Sequence, residues 1–544
     1  MSVEGGRASR AILAVARDFS RSGMLQSAGP VITGHTSRAA RRLAVVIGAC
    51  LLAALVLTAA VERAGTAQAK PRADQPNIVV VVTDDQARVT MSPEVMPNLY
   101  TRMIPEATSF SDFVVTTPLC CPSRAAFMTG QYGHNNGVLS NFYPDLRQKK
   151  QVLAAWLQTA GYKTAHVGKF LNKYEEQDSP QTVAPGWDLW FTQLEKRKYY
   201  DWKASKNGDL RRFGTDDADH LTTVTNRYAA SWAGRLAAKD RPFFLQVDYY
   251  APHTGPGRDE ICKAAPKPEP EDVGRFAGAP LPDPPSFNQD DVTEMPSFIR
   301  DRPKLTDEEI ADITDHYRCT LESLYGVDRG IGQVFDSIKA QGELNNTVFV
   351  FTSDNGYFFG EHRIPKGKPY PYEENIHMPL VMRVPTRYRD GAPLVTESDA
   401  PVANIDVAPT LLELAGATPC LRRDRCRIMD GRSLMPAIEG VGGLPETRGI
   451  ALERSSCEYR GVRWDRKLYV AYSAPDTTGC VPGEAEMYDT AADPYQLHDL
   501  LPASEGTPND ELRVKLARKM RRLGSCQGIR RRDPQPPPGI NYCE

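Results

Sequence analysis

Three predominantly apolar segments constrain the fold more than any other feature of the sequence. Residues 77–83 read Asn-Ile-Val-Val-Val-Val-Thr, and comparable runs cover residues 243–247 and 348–352. A strand that is apolar at successive positions is buried on both faces, which is typical of a parallel sheet between helices. A chain of 544 residues is long enough to build such a sheet. We therefore predict an α/β fold with a large mixed sheet sandwiched between helices.

The remaining patterns predict how the chain is divided. A capping box at Thr306 and Glu309 begins an apolar 3–4 repeat that predicts a core helix to Ile338. Short strand patterns at 459–472 and 484–488 precede a helical pattern at 509–523, so we predict a smaller C-terminal subdomain with a short antiparallel sheet and a helix. The predicted parts are the main α/β domain (76–440), the C-terminal α+β subdomain (441–525) and a tail (526–544).

The N-terminus has the features of a targeting segment. Residues 1–38 are rich in Arg, Ser and Gly without an apolar period, and we predict a disordered extension there. In residues 39–69, the pair Arg41-Arg42 precedes a long apolar run and a final Ala-Gln-Ala, which is typical of a signal peptide; left uncleaved, the run is long enough to be an anchor. We expect a secreted or extracytoplasmic protein that meets a membrane only through this segment, if it is uncleaved.

Charge and cysteine content narrow the class of protein. Lys plus Arg total 66 and Asp plus Glu 68, and this balance argues against a nucleic-acid partner. There are 11 cysteines, one of them inside the apolar N-terminal run and two adjacent at 120 and 121. The other eight are an even set, which indicates disulfides in an exported chain and makes no zinc site. Closeness in sequence favours the pairs Cys420–Cys426, Cys457–Cys480 and Cys526–Cys543.

Polar residues follow each of the three apolar strands. Asp84 and Asp85 come directly after the first strand, Asp354 and Asn355 come after the third, and His253 lies a few residues beyond the second. Ligands bind at the carboxyl ends of strands in open α/β sheets, so we predict that these side chains share one site.

The segment 119–130, Leu-Cys-Cys-Pro-Ser-Arg-Ala-Ala-Phe-Met-Thr-Gly, is the sharpest local signal. Pro122 suits the first turn of a helix, and Gly130 suits its C-terminal end. Cys120 would then lie at a helix N-terminus, where the free amides favour an anion. Arg124 adds a forked set of donors that matches a tetrahedral oxyanion. An activated thiol, or a disulfide between the neighbouring cysteines, is the alternative reading of the motif.

The run Cys120-x-Pro122-Ser123-Arg124 resembles the signature of the type I, formylglycine-dependent sulfatases of the alkaline-phosphatase-like superfamily. Further segments resemble this family in the same order: Pro76–Gln86, Gly161–Asn172, Thr352–Arg363, Asp406–Ala417, Met429–Leu434 and Met487–Leu501. The resemblance implies an exported sulfatase whose catalytic domain covers 76–440. Its implied substrate is a sulfated small molecule or glycan, with aryl sulfates as surrogates.

The resemblance also implies a role for each site residue. A formylglycine-generating enzyme would oxidise Cys120 to formylglycine, whose hydrated aldehyde is the nucleophile and also provides a route for releasing sulfate. One divalent metal, calcium or magnesium, would be held by Asp84, Asp85, Asp354, Asn355 and the modified Cys120. The implied contacts to the sulfate and the leaving group come from Arg124, Lys169, His253 and Lys368.

The chain departs from the common family pattern at Leu171, where many sulfatases carry a histidine. The form Gly-Lys-Phe-Leu-Asn at 168–172 resembles the branch of N-acetylglucosamine-6-sulfatases and heparan 6-O-endosulfatases. Asn172 and His362 are candidates for the missing contact, without an assigned catalytic role. His134 either approaches the substrate or caps a turn. Lys366 competes with Lys368 for the second lysine position, since the two are only two residues apart.

Two other functions stay open on the sequence. Phosphonate and phosphate ester hydrolases of the superfamily use the same modified residue and metal, although the lack of an obvious second set of metal ligands favours a sulfate ester. If Cys120 stays a thiol, the chain would be a non-catalytic metal- and anion-binding protein.

Overall fold

The computed structural model describes residues 75–544 apart from short gaps at 178, 180–181, 195–197, 257–261, 263–264, 369, 423–424, 443, 446–447, 456–457, 477–478 and 503–504. The predicted extension (1–38), the signal segment (39–69) and Cys457 of the predicted Cys457–Cys480 pair lie outside the described residues. Within the described ranges, no helix is both long enough and apolar enough to cross a membrane.

The described residues form eighteen strands and eleven α-helices. The strands are β1 (Asn77–Thr83), β2 (Thr108–Phe110), β3 (Phe113–Val114), β4 (Lys163–Gly168), β5 (Leu189–Leu194), β6 (Trp202–Lys206), β7 (Asp209–Phe213), β8 (Phe243–Asp248), β9 (Thr347–Ser353), β10 (Leu380–Arg383), β11 (Glu397–Ser398), β12 (Val402–Ala403), β13 (Cys420–Arg422), β14 (Arg425–Cys426), β15 (Gly449–Arg454), β16 (Tyr459–Trp464), β17 (Lys467–Asp476) and β18 (Gly479–Asp489). The α-helices are α1 (Cys120–Thr129), α2 (Gly133–Asn136), α3 (Leu153–Thr159), α4 (Tyr174–Gln177), α5 (Leu221–Ala237), α6 (Ser297–Arg300), α7 (Asp307–Lys339), α8 (Glu373–Ile376), α9 (Val407–Leu414), α10 (Met435–Glu439) and α11 (Pro508–Leu523).

A ten-stranded mixed sheet forms the centre of the fold, in the order β11-β2-β10-β9-β1-β8-β4-β5-β6-β7. The three apolar strands of the sequence are neighbours: β1 pairs in parallel with β8 on one side and with β9 on the other. The strands β6, β7 and β10 run antiparallel to their neighbours, which makes the sheet mixed. The predicted fold class is confirmed.

The central strand β1 shows why the sequence lacks an alternating pattern. All seven of its residues are buried. Ile78, Val80 and Val82 belong to one apolar core, whereas Val79 and Val81 belong to the core on the opposite face. Helices α1 and α9 contribute to the first core, and α5 and α7 to the second. Each fully buried Val or Ile side chain stabilises the fold by about 1.5–3 kcal/mol, so both faces require apolar residues.

The long helix α7 begins where the capping box predicts. The Thr306 hydroxyl accepts a hydrogen bond from the Glu309 N–H, and the Glu309 carboxylate accepts one from the Thr306 N–H. The predicted apolar positions from Ile313 to Ile338 are buried against the sheet. Only Ile310, in the first turn, is partly buried.

The C-terminal part of the chain contains the predicted short sheet and helix. Strands β15 to β18 form a four-stranded antiparallel sheet, on which α11 packs. The sequence pattern missed β15, and the boundary at residue 440 stays a prediction. The predicted disulfides Cys420–Cys426 and Cys526–Cys543 are both present. A further disulfide joins Cys262 to Cys319, 57 residues apart, and a criterion of closeness in sequence could not find it.

Candidate active site

The carboxyl ends of β1, β8 and β9 bring three acidic residues together. Thr83 is in register with Ser353 on β9, and Val82 with Asp248 on β8, so the residues that follow leave the sheet at one edge. Carboxylate oxygens of Asp84, Asp85 and Asp354 lie within 4.8 Å of one another. The strand ends therefore bring together the carboxylates that the sequence predicted to share a site.

Local backbone geometry holds this group of carboxylates in place. Asp85 has a φ of 69°, a conformation that non-glycine residues rarely adopt. Its N–H donates to Asp354 Oδ1 at 3.2 Å, and the side-chain amide of Asn355 donates to Asp85 Oδ1 at 2.7 Å. The Asn355 Oδ1 atom is buried and has no hydrogen-bond partner among the described residues. Four oxygen-bearing side chains thus converge, and one carbonyl oxygen is still free to act as a ligand.

Cys120 is the first residue of α1, as its motif predicted. Pro122 lies in the first turn, and the helix ends at Gly130, which has a φ of 65°. The side-chain amide of Asn404 donates to Ser123 Oγ at 3.0 Å and so fixes the start of the helix. This places Cys120 Sγ 3.3 Å from Asp84 Oδ1. The predicted nucleophile position is therefore in direct contact with the carboxylate group.

Two lysines approach from separate loops. Lys368 Nζ lies 2.9 Å from Cys120 Sγ and also forms an ion pair with Asp85. Lys169 forms a buried ion pair with Asp84. Its position depends on Gly168, which has a φ of 113° and where a Cβ would lie only 1.9 Å from the Asp248 carbonyl oxygen. Both predicted lysines thus reach the site.

His253 lies at the rim of the same group. Its Nδ1 is 2.8 Å from the Thr254 carbonyl oxygen, which can only accept, so Nδ1 carries a hydrogen. Its Nε2 is 3.7 Å from Asp85 Oδ2. Burial lowers the pKa of His253, against the opposing effect of Asp85 and Asp84. The ring therefore presents Nε2 to the site.

Arg124 connects two of the strand ends. Its Nε donates to Asp354 Oδ2 at 2.7 Å, and its Nη1 donates to Asp248 Oδ1 at 2.8 Å. The remaining nitrogen, Nη2, is buried without a hydrogen-bond partner among the described residues. The side-chain amide of Gln246 donates in turn to Asp248 Oδ2 at 2.8 Å, and His166 Nε2 lies 3.0 Å from the same oxygen without a hydrogen bond. Sequence reasoning missed Asp248, although it is a carboxylate at the end of a buried strand, as Asp84 is.

The pKa values follow from burial and from the close charges. Burial alone would raise the pKa of Asp84, but Lys169 and other cations lower it far below its ordinary value. Burial and the neighbouring Asp84 raise the pKa of Asp354 to about 7. Burial and Asp84 also raise the pKa of the Cys120 thiol to about 12. Since the thiolate is the nucleophilic form of cysteine, an unmodified Cys120 is a poor nucleophile here.

The charges of the site are not balanced by the protein alone. Four buried carboxylates (Asp84, Asp85, Asp248 and Asp354) face three cations (Arg124, Lys169 and Lys368). One divalent cation would change the excess from one negative charge to one positive charge. Its positive charge would also oppose the raised pKa of Asp354, which burial and the neighbouring Asp84 cause. The residues present therefore fit a divalent metal ion bound through oxygen atoms.

Of the residues left open by the sequence, Lys366 and His362 make their contacts with residues other than Cys120, and Asn172 stays a prediction. Lys366 pairs with Asp312 on α7, so Lys368 alone of the two lysines contacts Cys120. His362 stacks on the ring of Tyr372 at 4.3 Å, and burial lowers its pKa to about 3. Leu171 is packed in the apolar core. His362 thus offers no direct replacement for the missing histidine.

His134 connects the main sheet region to the C-terminal part of the chain. Its Nδ1 lies 2.9 Å from Glu453 Oε2, and its Nε2 lies 2.9 Å from the Cys526 carbonyl oxygen. The Glu453 carboxylate also accepts the His134 backbone N–H at 2.9 Å. Both ring nitrogens are therefore engaged by the protein, and the interpretation of His134 as a structural residue fits better than contact with a substrate.

Comparison with known proteins identifies relatives of this chain. The sulfatase family profile matches residues 76–417. The chain is 33% identical over 377 residues to a Caenorhabditis elegans protein named as a homolog of extracellular sulfatase Sulf-1, covering 67% of this chain and 49% of that protein. It is 28% identical to the N-acetylglucosamine-6-sulfatase of Capra hircus, covering 87% of each chain.

A solved structure shows the same fold. This neighbour, described as a complex with its substrate D-glucosamine-2-N,6-O-disulfate, has a TM-score of 0.64 and 24% identity. The match covers 82% of this chain and 97% of the neighbour. The large mixed sheet and the small C-terminal sheet therefore form a known architecture.

Proposed function

Since the chain belongs to the sulfatase family and is a sulfuric ester hydrolase, we propose that it is exported and removes sulfate esters from sulfated sugars. The proposed machinery is a formylglycine at Cys120 and one divalent metal ion. The observation that carries this proposal is the position of Cys120 at the start of α1, in contact with both Asp84 and Lys368.

The metal would be held by Asp84, Asp85, Asp354 and Asn355, together with the modified Cys120. The unpartnered Asn355 Oδ1 and the cluster of three carboxylates support this set. Oxygen-only ligands favour calcium, with magnesium as the alternative. When bound, such an ion polarises a sulfate oxygen and lowers the pKa of the nucleophile.

The modification of Cys120 answers a chemical need of the site. The thiol has a raised pKa and is a poor nucleophile at neutral pH. A hydrated aldehyde at this position supplies two hydroxyl groups, one for attack on sulfur and one for the release of sulfate. A formylglycine-generating enzyme is therefore a required partner during maturation.

The remaining side chains bind the anion and manage the leaving group. The free Nη2 of Arg124 and the ammonium groups of Lys169 and Lys368 are cationic donors suited to sulfate oxygens. Neighbouring carboxylates raise the pKa of both lysines despite burial, so both remain charged. Nε2 of His253 faces the site and carries no hydrogen in this tautomer, so it would first accept a proton from the attacking hydroxyl and then pass that proton to the leaving oxygen.

The relatives guide the choice of substrate and location. The goat relative is named for N-acetylglucosamine 6-sulfate, and the solved neighbour holds a glucosamine sulfated at N2 and O6. We propose a 6-O-sulfated glucosamine unit as the substrate class. The name of the worm relative and the apolar segment within residues 39–69 support export. Contact with a membrane would occur only through that segment.

The test is sulfate release by full-length protein matured together with a formylglycine-generating enzyme. We expect turnover of glucosamine 6-sulfate and of an aryl sulfate, and none by a Cys120→Ala variant. Faster turnover of a phosphonate or phosphate ester than of every sulfate ester would favour the alternative hydrolase. Absence of turnover by protein that carries the aldehyde and metal would contradict the proposal.

A further inference from the structure

The C-terminal helix α11 carries a concentrated array of positive charge. Lys515, Arg518, Lys519 and Arg522 follow one another at positions i, i+3, i+4 and i+7, which places them on one face of the helix. We call these four residues the α11 cationic stripe. The opposite face of α11 packs on the C-terminal sheet through buried residues such as Leu516 and Leu523.

The stripe runs beside an aromatic side chain of the sheet. Trp464, at the end of β16, has the ammonium groups of Lys515 and Lys519 at 4.3 Å and 5.2 Å from its ring. Trp464 also lines a cavity of about 570 Å³ whose other lining residues carry both signs of charge, including Arg466 and its ion-pair partner Asp399. A half-buried aromatic ring therefore connects the stripe to a concave surface.

Contacts within the protein account for only part of this arrangement of charges: Lys515 and Lys519 lie over the Trp464 ring, and Arg522 lies in the last turn, where the helix dipole favours a cation. Within the described part of the chain, none of the four stripe residues forms an ion pair with a carboxylate. The acidic residues of α11 lie in its first turn, where Asp510 pairs with Arg513 at 2.6 Å. Like charges at i and i+4 destabilise a helix, so the stripe opposes the stability of its own helix. An external polyanion would relieve this repulsion.

We propose that the α11 cationic stripe and Trp464 bind a sulfated polysaccharide chain outside the active site. This inference rests on the proposed function and extends it: the sulfated sugar would be presented as part of a polymer. Lys and Arg side chains pair with successive sulfate groups, and the arginines do so with forked donors. The Trp464 ring holds two of these cations, Lys515 and Lys519, side by side at its surface.

Other polyanions fit this surface less well. A membrane-binding helix needs an exposed apolar face beside its cations, and here Leu516 and Leu523 are buried. The overall charge of −2 argues against a general nucleic-acid binder. A sulfated polysaccharide carries negative charges that complement the cationic stripe, and it contains the sulfate esters that the proposed active site would hydrolyse.

Equilibrium binding of heparin fragments to the full-length Cys120→Ala protein tests the proposal without turnover. The stripe variant combines Lys515→Gln, Arg518→Gln, Lys519→Gln and Arg522→Gln. The control variant neutralises four exposed residues distant in sequence: Arg211→Gln, Arg212→Gln, Arg235→Gln and Lys239→Gln. We expect about tenfold or weaker binding for the stripe variant, a flatter dependence on salt, and less than about twofold change for the control.

A second measurement uses the mature enzyme. The stripe variant should lose kcat/KM on the polysaccharide through a raised KM, while turnover of a small aryl sulfate stays within about twofold, because the small ester does not extend to α11. Equal binding by the stripe and control variants would overturn the inference. Stripe-dependent binding to phosphatidylglycerol vesicles without binding to heparin would also overturn it. If the wild type lacks sulfatase activity, the proposed function fails, but the heparin comparison still decides this inference.

Discussion

Lys368 and Tyr372 are close in sequence but belong to two different buried clusters of ionisable side chains. Lys368 lies in the Cys120 site, and Tyr372 lies in a group of tyrosines around Glu486. The Glu486 carboxylate accepts hydrogen bonds from the hydroxyls of Tyr372 at 2.9 Å, Tyr488 at 2.8 Å and Tyr472. Both of its oxygens thus have donors within the protein. In the Cys120 site, by contrast, buried nitrogen and oxygen atoms of Arg124 and Asn355 have no partner among the described residues.

This difference in hydrogen bonding distinguishes the Glu486 cluster, which has a structural role, from the Cys120 site, which has polar atoms available to ligands. Leaving a buried donor or acceptor without a partner costs about 1–3 kcal/mol. The fold avoids this cost around Glu486, where three hydroxyl groups surround one carboxylate. It retains the cost at Arg124 Nη2 and Asn355 Oδ1, which are the atoms that the proposed sulfate and metal would use. The two clusters should therefore respond differently to substitution, metal removal and pH.

The largest expected effect concerns the nucleophile. Cys120→Ala should lower kcat/KM for an aryl sulfate by about 10⁴-fold or more, because no other group can form the covalent bond. Cys121→Ala, at the adjacent buried position, should keep activity within about fivefold and lose about 1 kcal/mol of stability. Comparable activity of the Cys120→Ala and wild-type enzymes would contradict the role of Cys120.

Metal removal should affect the Cys120 site and not the Glu486 cluster. Chelation should lower activity by about 10³-fold, and added calcium should restore it. Calcium at about 100 times its Kd should stabilise the folded chelated protein by about 2.7 kcal/mol, measured as a rise in Tm. Asp85→Asn should abolish this stabilisation, and Glu486→Gln should keep it. Equal calcium responses in the two variants would contradict the assigned ligands.

The two neighbouring lysines provide a finer test of the site. Lys368→Ala should lower kcat/KM by about 10²-fold, because its ammonium group contacts both Cys120 and Asp85. Lys366→Ala removes a charge two residues away that pairs with Asp312. Its activity should change by less than about threefold. A reversed order of the two effects would move the assignment to Lys366.

The smallest effect on activity is expected at Glu486. Burial raises its pKa from 4.5 to about 7, despite the tyrosine hydroxyls that lower it. A carboxyl with a raised folded-state pKa contributes its full stability below pH 4.5, and this contribution is lost as the pH rises through about 7. Relative to Glu486→Gln, the wild type should therefore lose on the order of 2 kcal/mol of unfolding free energy between about pH 5 and pH 8.

Denaturant unfolding of both proteins at the two pH values measures this difference directly. The comparison isolates Glu486, because other buried carboxyls titrate equally in the wild type and the variant. Turnover of the aryl sulfate by Glu486→Gln should remain within about twofold. A constant difference in stability across this range would show that Glu486 keeps its ordinary pKa.

Local patterns were sufficient for the parts of the fold that depend on neighbouring residues. The apolar run 77–83 predicted a strand buried on both faces, and the motif 119–130 predicted the helix that begins at Cys120. The capping box predicted the start of α7. Each of these signals is complete within a few residues of sequence, so no knowledge of the tertiary structure was needed.

The parts that were missed depend on contacts between distant residues. Asp248 acquires its role from Arg124, 124 residues away, and Glu486 contacts Tyr372 across 114 residues. The Cys262–Cys319 disulfide likewise joins residues separated by 57 positions. The choice between Lys366 and Lys368 depends on the direction of each side chain in the folded loop. Sequence spacing contains no direct information about these contacts.

The most direct test of the account is the mass of the Cys120 peptide from protein produced in its native host. Oxidation of the cysteine side chain to the aldehyde lowers the mass by about 18 Da, and we predict this shift in the active enzyme, at the position that contacts Asp84 and Lys368. The Cys121→Ala protein should show the same shift. A full thiol mass, or a disulfide at Cys120, in protein that still hydrolyses sulfate esters would contradict the central claim.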